Sequence, residues 1–230
     1  MSELFLLVDR KSPDSPLQLF GCVSRDGAHQ LGYRHTSVIL IPTAWDDKCN
    51  APIIFIHKRS PDKLICPNTY DFCGGHITFE HWYCHYLENA FDSLPLLERA
   101  ADDTAIREAN EELKCEPIFH FQHQHIFRFQ SFGYFECDTK SERGHNIEFS
   151  TAYFVAVPKN RHVTIWDTDI HGERELTVTK FGLAELLNRF RENEADFADG
   201  AGRILKKLIA EPSLKEEFER KLIDVSQKIE

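Results

Sequence analysis

The first third of the chain carries short apolar runs of the length and composition that strands favour. Residues 4–9 and 17–23 are two such runs separated by a turn-rich stretch, and they predict two short strands. The β-branched run Thr36–Ile41, which Pro42 is expected to end, and the run Ile53–His57 are apolar enough for strands buried on both faces.

The middle of the chain changes to a helical pattern. Apolar residues and alanines recur at helical spacing from Leu96 to Leu113, and Ser93 and Pro95 are plausible start signals. The preceding segment, 77–95, is rich in aromatic residues and poorly periodic, which indicates an insertion or a lid. Aromatic side chains in it would pack the insertion onto the domain or stack on a nucleobase: Trp82, Tyr83, Tyr86 and Phe91.

Alternation returns in the second half and gives way to amphipathic helices. Residues His125–Cys137 and Glu148–Val157 alternate as strands do. Alternation just before the first run predicts that His123 and His125 share one strand face, which either is half-exposed or lines a substrate pocket. Thr179–Asn193 and Gly202–Glu230 predict amphipathic helices that a loop around Asp199 and Gly200 separates. The order of strands, helix, strands and helices predicts a layered α/β domain with a mixed sheet.

Length and composition limit the organisation and the partners. The chain has 230 residues, which predicts one domain over residues 1–200, with the insertion at about 77–95, and a C-terminal helical extension over 201–230 that packs on it. A net charge of -10 argues against a nucleic-acid polymer as partner. The sequence has no apolar run near the roughly 20 residues that cross a membrane. Seven cysteines without a CxxC pair favour a reducing cytoplasm, and the sequence leaves open whether two copies pair as a homodimer.

Three carboxylates on the central helix are the main chemical signal. Glu108, Glu111 and Glu112 lie at positions i, i+3 and i+4, so they share one helical face and repel one another. A folded chain keeps such a cluster on a solvated surface or around a cation, and Mg²⁺ prefers oxygen ligands of this kind together with a substrate phosphate. The glycine pair Gly74 and Gly75 lies upstream, where a strand could lead toward this helix. Together these features predict a metal-dependent enzyme that acts on phosphates.

The same residues resemble the Nudix box, the signature of the Nudix hydrolase family. The opening glycine and the R-E-x-x-E-E core of that box are matched by Gly75, Arg107, Glu108, Ala109, Glu111 and Glu112. The resemblance implies an α/β/α sandwich in which the arginine braces the glutamates and the glutamates bind Mg²⁺ or Mn²⁺. It also implies hydrolysis of the phosphoanhydride in a nucleoside diphosphate linked to another moiety.

Three positions depart from the box. Gly75 lies 32 residues before Arg107, which is about 18 residues more than in the family, so the insertion falls inside this loop. A longer loop adds little closure entropy and is tolerated if it bulges outward. The expected glutamate between the two is Arg99, and the late glycine of the box is Lys114.

A second resemblance, upstream of the box, is to the Nudix subgroup related to isopentenyl-diphosphate isomerase. In that isomerase three histidines and a downstream pair of acids bind a divalent metal, and here His29, His35 and His76 fall near the histidine positions. The acid pair reads Asn146 and Glu148, which keeps only the second acid. The residues that the resemblance implies for substrate binding are Arg59, Lys63, Gly74, Gly75 and His76.

The isomerase needs a cysteine where this chain has Gly74, with Cys73 one residue early, and it lacks the full R-E-x-x-E-E core. These differences favour the hydrolase. An isomerase acting on an allylic diphosphate and a catalytically inactive binding module are the alternatives.

The resemblance to the hydrolase implies a role for each acid. Glu111 and Glu112 are the expected principal Mg²⁺ ligands, and Glu108 is a ligand or the general base. Glu148 is a further ligand or the base, and Arg107 lowers the mutual repulsion of the glutamates.

Overall fold

A computed structural model describes residues 3–12, 15, 17–63, 65–89, 93–141, 144–159, 161–169 and 172–229. The strands are β1 (Leu4–Asp9), β2 (Gln18–Ser24), β3 (His35–Asp46), β4 (Ala51–Lys58), β5 (Tyr70–Asp71), β6 (Cys73–His76), β7 (Leu113–Glu116), β8 (Ile126–Arg128), β9 (Phe135–Ser141), β10 (Gly144–Ala156), β11 (His162–Asp169), β12 (Gly172–Leu176) and β13 (Val178–Phe181). The helices are α1 (Arg25–Leu31), α2 (Phe79–Asn89), α3 (Ser93–Glu112), α4 (Leu183–Glu192), α5 (Asp199–Ala210) and α6 (Pro212–Ser226).

Strand β3 is the centre of the larger sheet. The main path of this sheet runs β13-β4-β3-β1-β2, and β10 pairs with β3 in parallel. The other pairings between described strands are antiparallel. A smaller sheet has the order β12-β11-β7. Helices pack on both faces of the larger sheet, so the predicted α/β class with a mixed sheet is confirmed.

Alternation along β3 separates two cores, one on each face. Val38 and Leu40 pack against α3, whose alanines allow the helix to approach the sheet closely. Ile39 and Ile41 point the other way and pack with residues of α4, α5 and α6, including Phe218. The C-terminal helices therefore bury an apolar face on the same sheet that carries the glycine strand β6.

The predicted central helix is confirmed, with its start at Ser93 and its end at Glu112. Its buried residues recur at helical spacing from Leu97 through Ala101 and Ala105 to Ala109. Glu108 falls on this buried face and is only 6% exposed. One member of the predicted carboxylate cluster is therefore inside the protein rather than on a solvated surface.

Several predictions about the strands are wrong. Pro42 does not end β3, because it lies between the residues that pair with β6 and those that pair with β4, so its missing N–H interrupts neither ladder. The run His125–Cys137 is not one strand: β8 and β9 are separated by a 3-10 turn at 130–132. His123 and His125 lie in another 3-10 turn and share no strand face.

The predicted C-terminal helices also have different bounds. Thr179–Phe181 belongs to β13, which pairs with β4, and α4 begins only at Leu183. Asp199 begins α5 instead of lying in a loop. The expected helix over Gly202–Glu230 is interrupted before Pro212, because proline disfavours a helical conformation in the residue before it.

Within the segment predicted as an insertion, Phe79–Asn89 forms α2, which packs against α3 and β1. Trp82 packs against the core beneath α3, whereas Tyr83 and Tyr86 are each 43% exposed. Phe91 lies outside the described residues. Among the described helices, none combines the length and the apolar character that crossing a bilayer requires.

Candidate functional site

The short strand β6 separates two groups of polar side chains. Its residues alternate, so that Cys73 and Gly75 face α3 and His76 faces the opposite side of the sheet. A Cβ atom on Gly75 would overlap the carboxylate of Glu108. A side chain at this position would therefore displace the Glu108 carboxylate, which occupies the space of a Cβ atom.

Arg107 holds two of the three α3 glutamates. Its guanidinium donates one hydrogen bond to Glu108 (2.6 Å) and another to Glu111 (2.9 Å). The planar fork of arginine suits two separate carboxylates better than a lysine would. The arginine thereby offsets part of the repulsion that the helical spacing of these acids creates.

Glu112 bonds to the glycine strand itself, accepting a hydrogen bond from the backbone N–H of Gly74 at 3.0 Å. Burial, and then the neighbouring charge of Glu108, holds the pKa of Glu112 well above its usual range. Burial also raises the pKa of Glu108, and the charge of Arg107 only partly offsets this. Crowded acids whose ionised forms are disfavoured suit a bound cation, which would favour their ionisation.

A second cluster lies on the opposite side of the sheet. Within the described part of the chain, one group of potential metal ligands has atoms that all lie within 4.8 Å of one another: His29, His35, His76 and Glu148. Nε2 of His76 lies 3.4 Å from Nε2 of His29 and 3.3 Å from the carboxylate of Glu148. The ring of Phe5 is fully buried beside them and stacks on His76 with centroids 4.1 Å apart.

The fold brings these residues together from four elements. Glu148 of β10 pairs directly with His35 of β3 in the parallel ladder. His76, the last residue of β6, pairs with Ser37, which lies two positions after His35 on β3. Side chains two residues apart on a strand share a face. Helix α1 covers this end of the sheet and supplies His29.

Two of the histidines, His29 and His35, are held in the neutral form that binds metal ions. Burial and the neighbouring His76 lower the pKa of His29 to about 3 and that of His35 to about 4, so both are neutral at pH 7. His35 Nδ1 donates to the carbonyl of Tyr33 at 2.8 Å in this neutral tautomer. Its Nε2 is then an acceptor, and it is buried without a hydrogen-bond partner. Such an orphaned atom beside a carboxylate fits a metal ligand.

Glu148 is the anion of this cluster. Burial by itself would raise its pKa, but hydrogen bonds from His76 and Asn146, together with the charge of His76, hold that pKa well below the usual range. The cluster thus offers neutral imidazole nitrogens and an ionised carboxylate, a donor set typical of divalent transition metals.

The two basic residues expected to bind substrate are both engaged by acids. Arg59 donates to Asp71 at 2.7 Å and to the carbonyl of Ile65 at 3.1 Å, which fixes the turn between β4 and β5. Lys63 pairs with Asp167 of β11 at 2.7 Å. Sequence patterns gave Asp167 no role, because only the packing of the smaller sheet brings it near Lys63.

The sequence-derived acids are thus divided between two places. Glu108, Glu111 and Glu112 gather on α3 around Arg107, against the side of β6 that carries Gly75. Glu148, expected to join them, lies with the histidines on the other side. The sequence already showed three histidines and an acid near the positions of the isomerase subgroup. Only the fold shows that these four side chains lie next to one another.

The sequence matches no protein-family model and no curated protein. Among solved structures, the chain is similar to a NUDIX hydrolase from Alicyclobacillus acidocaldarius, with 13% identity over 77% of this chain and 91% of that chain and a TM-score of 0.48. A C. elegans Ap4A hydrolase is similar with 12% identity over 76% and 96% and a TM-score of 0.39. A mutT/nudix family protein from Listeria innocua has 18% identity over 80% and 95% and a TM-score of 0.41.

Proposed function

We propose that this protein is a Mg²⁺-dependent hydrolase of phosphoanhydrides, of the Nudix type. Its substrate would be a nucleoside diphosphate linked to another moiety. The observation that carries the proposal is the arrangement of Arg107, Glu108 and Glu112 against the backbone of Gly74 and Gly75. The side chain of Glu111, held by Arg107, is 43% exposed, whereas that of Glu108 is 8% exposed.

Phosphoanhydride hydrolysis requires neutralisation of the phosphate oxygens, an in-line water and a base. Glu111 and Glu112 would hold a divalent cation, which would supply charge neutralisation and activate water. Mn²⁺ would fit the same oxygen donors. A chain of net charge -10 would repel a free polyphosphate, so substrate and cation arrive together.

The chain's own groups hold the site in shape. Arg107 fixes the directions of two carboxylates, and the N–H of Gly74 fixes Glu112. We assign the general base to Glu108, because burial raises its pKa and a base is most effective when its pKa lies near the working pH. As the base, Glu108 would accept the proton of the attacking water on the carboxylate oxygen that is not bonded to Arg107.

We further propose that His29, His35, His76 and Glu148 hold a second divalent metal ion. The buried, unpartnered Nε2 of His35 supports this, since an unsatisfied imidazole nitrogen inside a protein is costly unless something binds it. Imidazole-rich sites suit Mn²⁺, Fe²⁺, Co²⁺ or Zn²⁺ better than Mg²⁺. Supplying Mg²⁺ alone or a transition metal alone can therefore distinguish the role of the glutamate site on α3 from that of the histidine cluster.

The histidine cluster favours one other candidate, an isomerase of allylic diphosphates. Against it stands the position of Cys73, whose side chain is 1% exposed in the core beneath α3. Burial, followed by the nearby acids Glu112 and Asp71, raises the pKa of this thiol well above its usual value. Cys73 is thus a neutral thiol on the α3 side of β6, away from the histidine cluster, where it could not carry a proton for an isomerase. This supports hydrolysis.

Turnover assays with and without Mg²⁺ or Mn²⁺ test the proposal. The substrates would be nucleotide sugars, dinucleoside polyphosphates, nucleoside triphosphates and coenzyme A, with isopentenyl diphosphate as the isomerase substrate. Metal-dependent release of phosphate-containing products that Glu112→Gln abolishes is the expected result. Isomerisation without phosphate release would replace the hydrolase with the isomerase, and metal binding without any turnover would replace it with a binding module.

We infer a reducing compartment, the cytoplasm, as the setting of this activity. All seven cysteines are free thiols, and three of them, Cys73, Cys115 and Cys137, are buried. Unpaired cysteines in this number are typical of proteins kept in a reducing environment.

A further inference from the structure

Helix α1 delivers His29 to the histidine cluster, although the helix is only seven residues long. Ala28 is its one buried residue. Isolated helices of this length are marginal in water, because nucleation costs more than so few hydrogen bonds return. Contacts at its two ends must therefore set the position of the His29 ring.

The beginning of α1 is fastened to the chain that leads into β1. Ser24 caps the helix by accepting a hydrogen bond from the N–H of Gly27 at 3.2 Å. Arg25 pairs with Glu3 at 3.2 Å, and the backbone N–H of Arg25 also donates to the carbonyl of Glu3. These bonds hold the helix start but lie a full turn away from His29.

The end of α1 rests on the start of strand β10. A Cβ atom on Gly144 would overlap the carbonyl oxygen of His29. A Cβ atom on Gly32, which ends the helix with φ 69°, would lie 2.6 Å from Nδ1 of His145. His145 is itself bonded to Asp138 of β9 at 2.7 Å. At Gly144, helix and strand thus meet with no side chain between their backbones.

Gly144 does not need to be glycine for its own conformation. Its φ lies outside the left-handed region that favours glycine, in contrast to Gly32. The close approach of His29 is therefore the physical reason for a residue without a side chain at this position. Four residues further along β10 lies Glu148, the partner of His35. The strand that supports α1 thereby also fixes the distance from His29 to the other ligands.

We propose that Gly144 is a positioning residue for metal binding by the histidine cluster. Its missing side chain lets the backbone of His29 lie directly on β10, which brings the His29 ring within 3.4 Å of His76. A side chain at 144 lifts α1 from the sheet and moves His29 away from His35 and Glu148. This inference rests on the proposed second metal site.

The test is Co²⁺ titration of Gly144→Ala, followed by the visible absorption that imidazole ligands give to this ion. Affinity should fall by about tenfold or more, as is typical when a supporting residue of a metal site is changed, and the absorption should change shape. Gly182→Ala is the matched control, because no atom lies within 4 Å of a Cβ there. His145→Ala, which removes the ring behind Gly32 without creating a clash, should weaken binding in the same direction.

Hydrogen exchange of the metal-free proteins provides the second measurement. The amide of Gly32, bonded to Ala28 in the native helix, should exchange faster in Gly144→Ala than in the wild type or Gly182→Ala. Unchanged Co²⁺ affinity in Gly144→Ala overturns the inference. If the wild type binds no Co²⁺ while the exchange of α1 rises in the variant, the second metal site is the proposal that fails, and the role of Gly144 in metal binding fails with it.

Discussion

Nε2 of His29 and Nε2 of His76 lie 3.4 Å apart, although 46 residues separate them and they belong to a short helix and a short strand. Two imidazoles this close cannot both carry a proton on these atoms without strong repulsion. Burial and this proximity lower the pKa of His29 to about 3. His29 is therefore neutral at pH 7, with its Nε2 facing that of His76.

Loss of a single α3 glutamate should stop turnover. Glu112→Gln keeps the size of the side chain and an acceptor for the Gly74 N–H but removes the negative charge needed to bind a cation. We expect no measurable hydrolysis and an unchanged far-ultraviolet dichroism spectrum, and the same for Glu111→Gln. Glu219→Gln, an exposed position on α6, is the control that should retain full activity. Near-normal activity in both site variants would sink the metal assignment.

Arg107→Lys should lower kcat by about 10- to 100-fold, the range found for residues that orient metal ligands. Lysine keeps the positive charge but cannot reach Glu108 and Glu111 in the two directions that the guanidinium does. Steady-state kinetics at saturating Mg²⁺ measures the effect. If the lysine variant equals the wild type, charge alone suffices and the bridging geometry is irrelevant.

Gly75→Ala should displace the Glu108 carboxylate, which occupies the position of the added methyl group. Overpacking at a buried position costs about 1–3 kcal/mol of folding free energy. The free energy of unfolding, measured by urea denaturation, and the activity should therefore both be lower in this variant. Gly182→Ala, with open space around its Cβ, should leave activity unchanged and lower the free energy of unfolding only by the small cost of alanine at the N-cap of α4. Normal activity in a destabilised Gly75→Ala protein would show that the position of Glu108 is not critical.

Removal of the second metal should destabilise the protein. A ligand at about 100 times its Kd stabilises the native state by about 2.7 kcal/mol. Adding 1,10-phenanthroline, which removes transition metals and leaves Mg²⁺, should lower the Tm of the Zn²⁺-loaded wild type. His29→Ala should lose most of this response, whereas His123→Ala, 76% exposed in its side chain, should keep it. An identical response in both variants contradicts metal binding by His29.

His57 should make the free energy of unfolding depend on pH. Burial, with the charges of Arg59 and Lys63, lowers the pKa of His57 from 6.5 to about 3. Between pH 6.5 and about 3, His57 is protonated in the unfolded chain and neutral in the folded chain. The free energy of unfolding therefore decreases as pH falls through this range. The slope from this one residue approaches about 1.4 kcal/mol per pH unit near pH 4–5.

Urea denaturation of the metal-free protein between pH 4 and 7 checks this dependence. The variant His57→Gln should lose that part of the slope and retain the parts that come from His29 and His35. A slope that is the same with and without His57 would mean that this histidine accepts its proton in the folded state.

Local periodicity was sufficient for α3. Alanines and apolar residues at helical spacing predicted a helix over 96–113, and the placement of Glu108, Glu111 and Glu112 on it followed from the same spacing. The apolar run at Ile53 likewise predicted β4. These elements could be read from the sequence because the residues that decide them lie within one or two turns, or a few strand positions, of each other.

Only the tertiary structure decided the rest. Thr179–Phe181 has a helix-like pattern but forms β13, because it finds a backbone partner in β4, more than 120 residues earlier. Glu148 was expected beside the α3 glutamates and lies instead with the histidines. Its place depends on the parallel register of β10 on β3, which sets which side chains share a face. The sequence by itself determined which residue types have the chemistry of cation ligands, whereas pairing between distant strands determined that they gather in two clusters on opposite sides of β6.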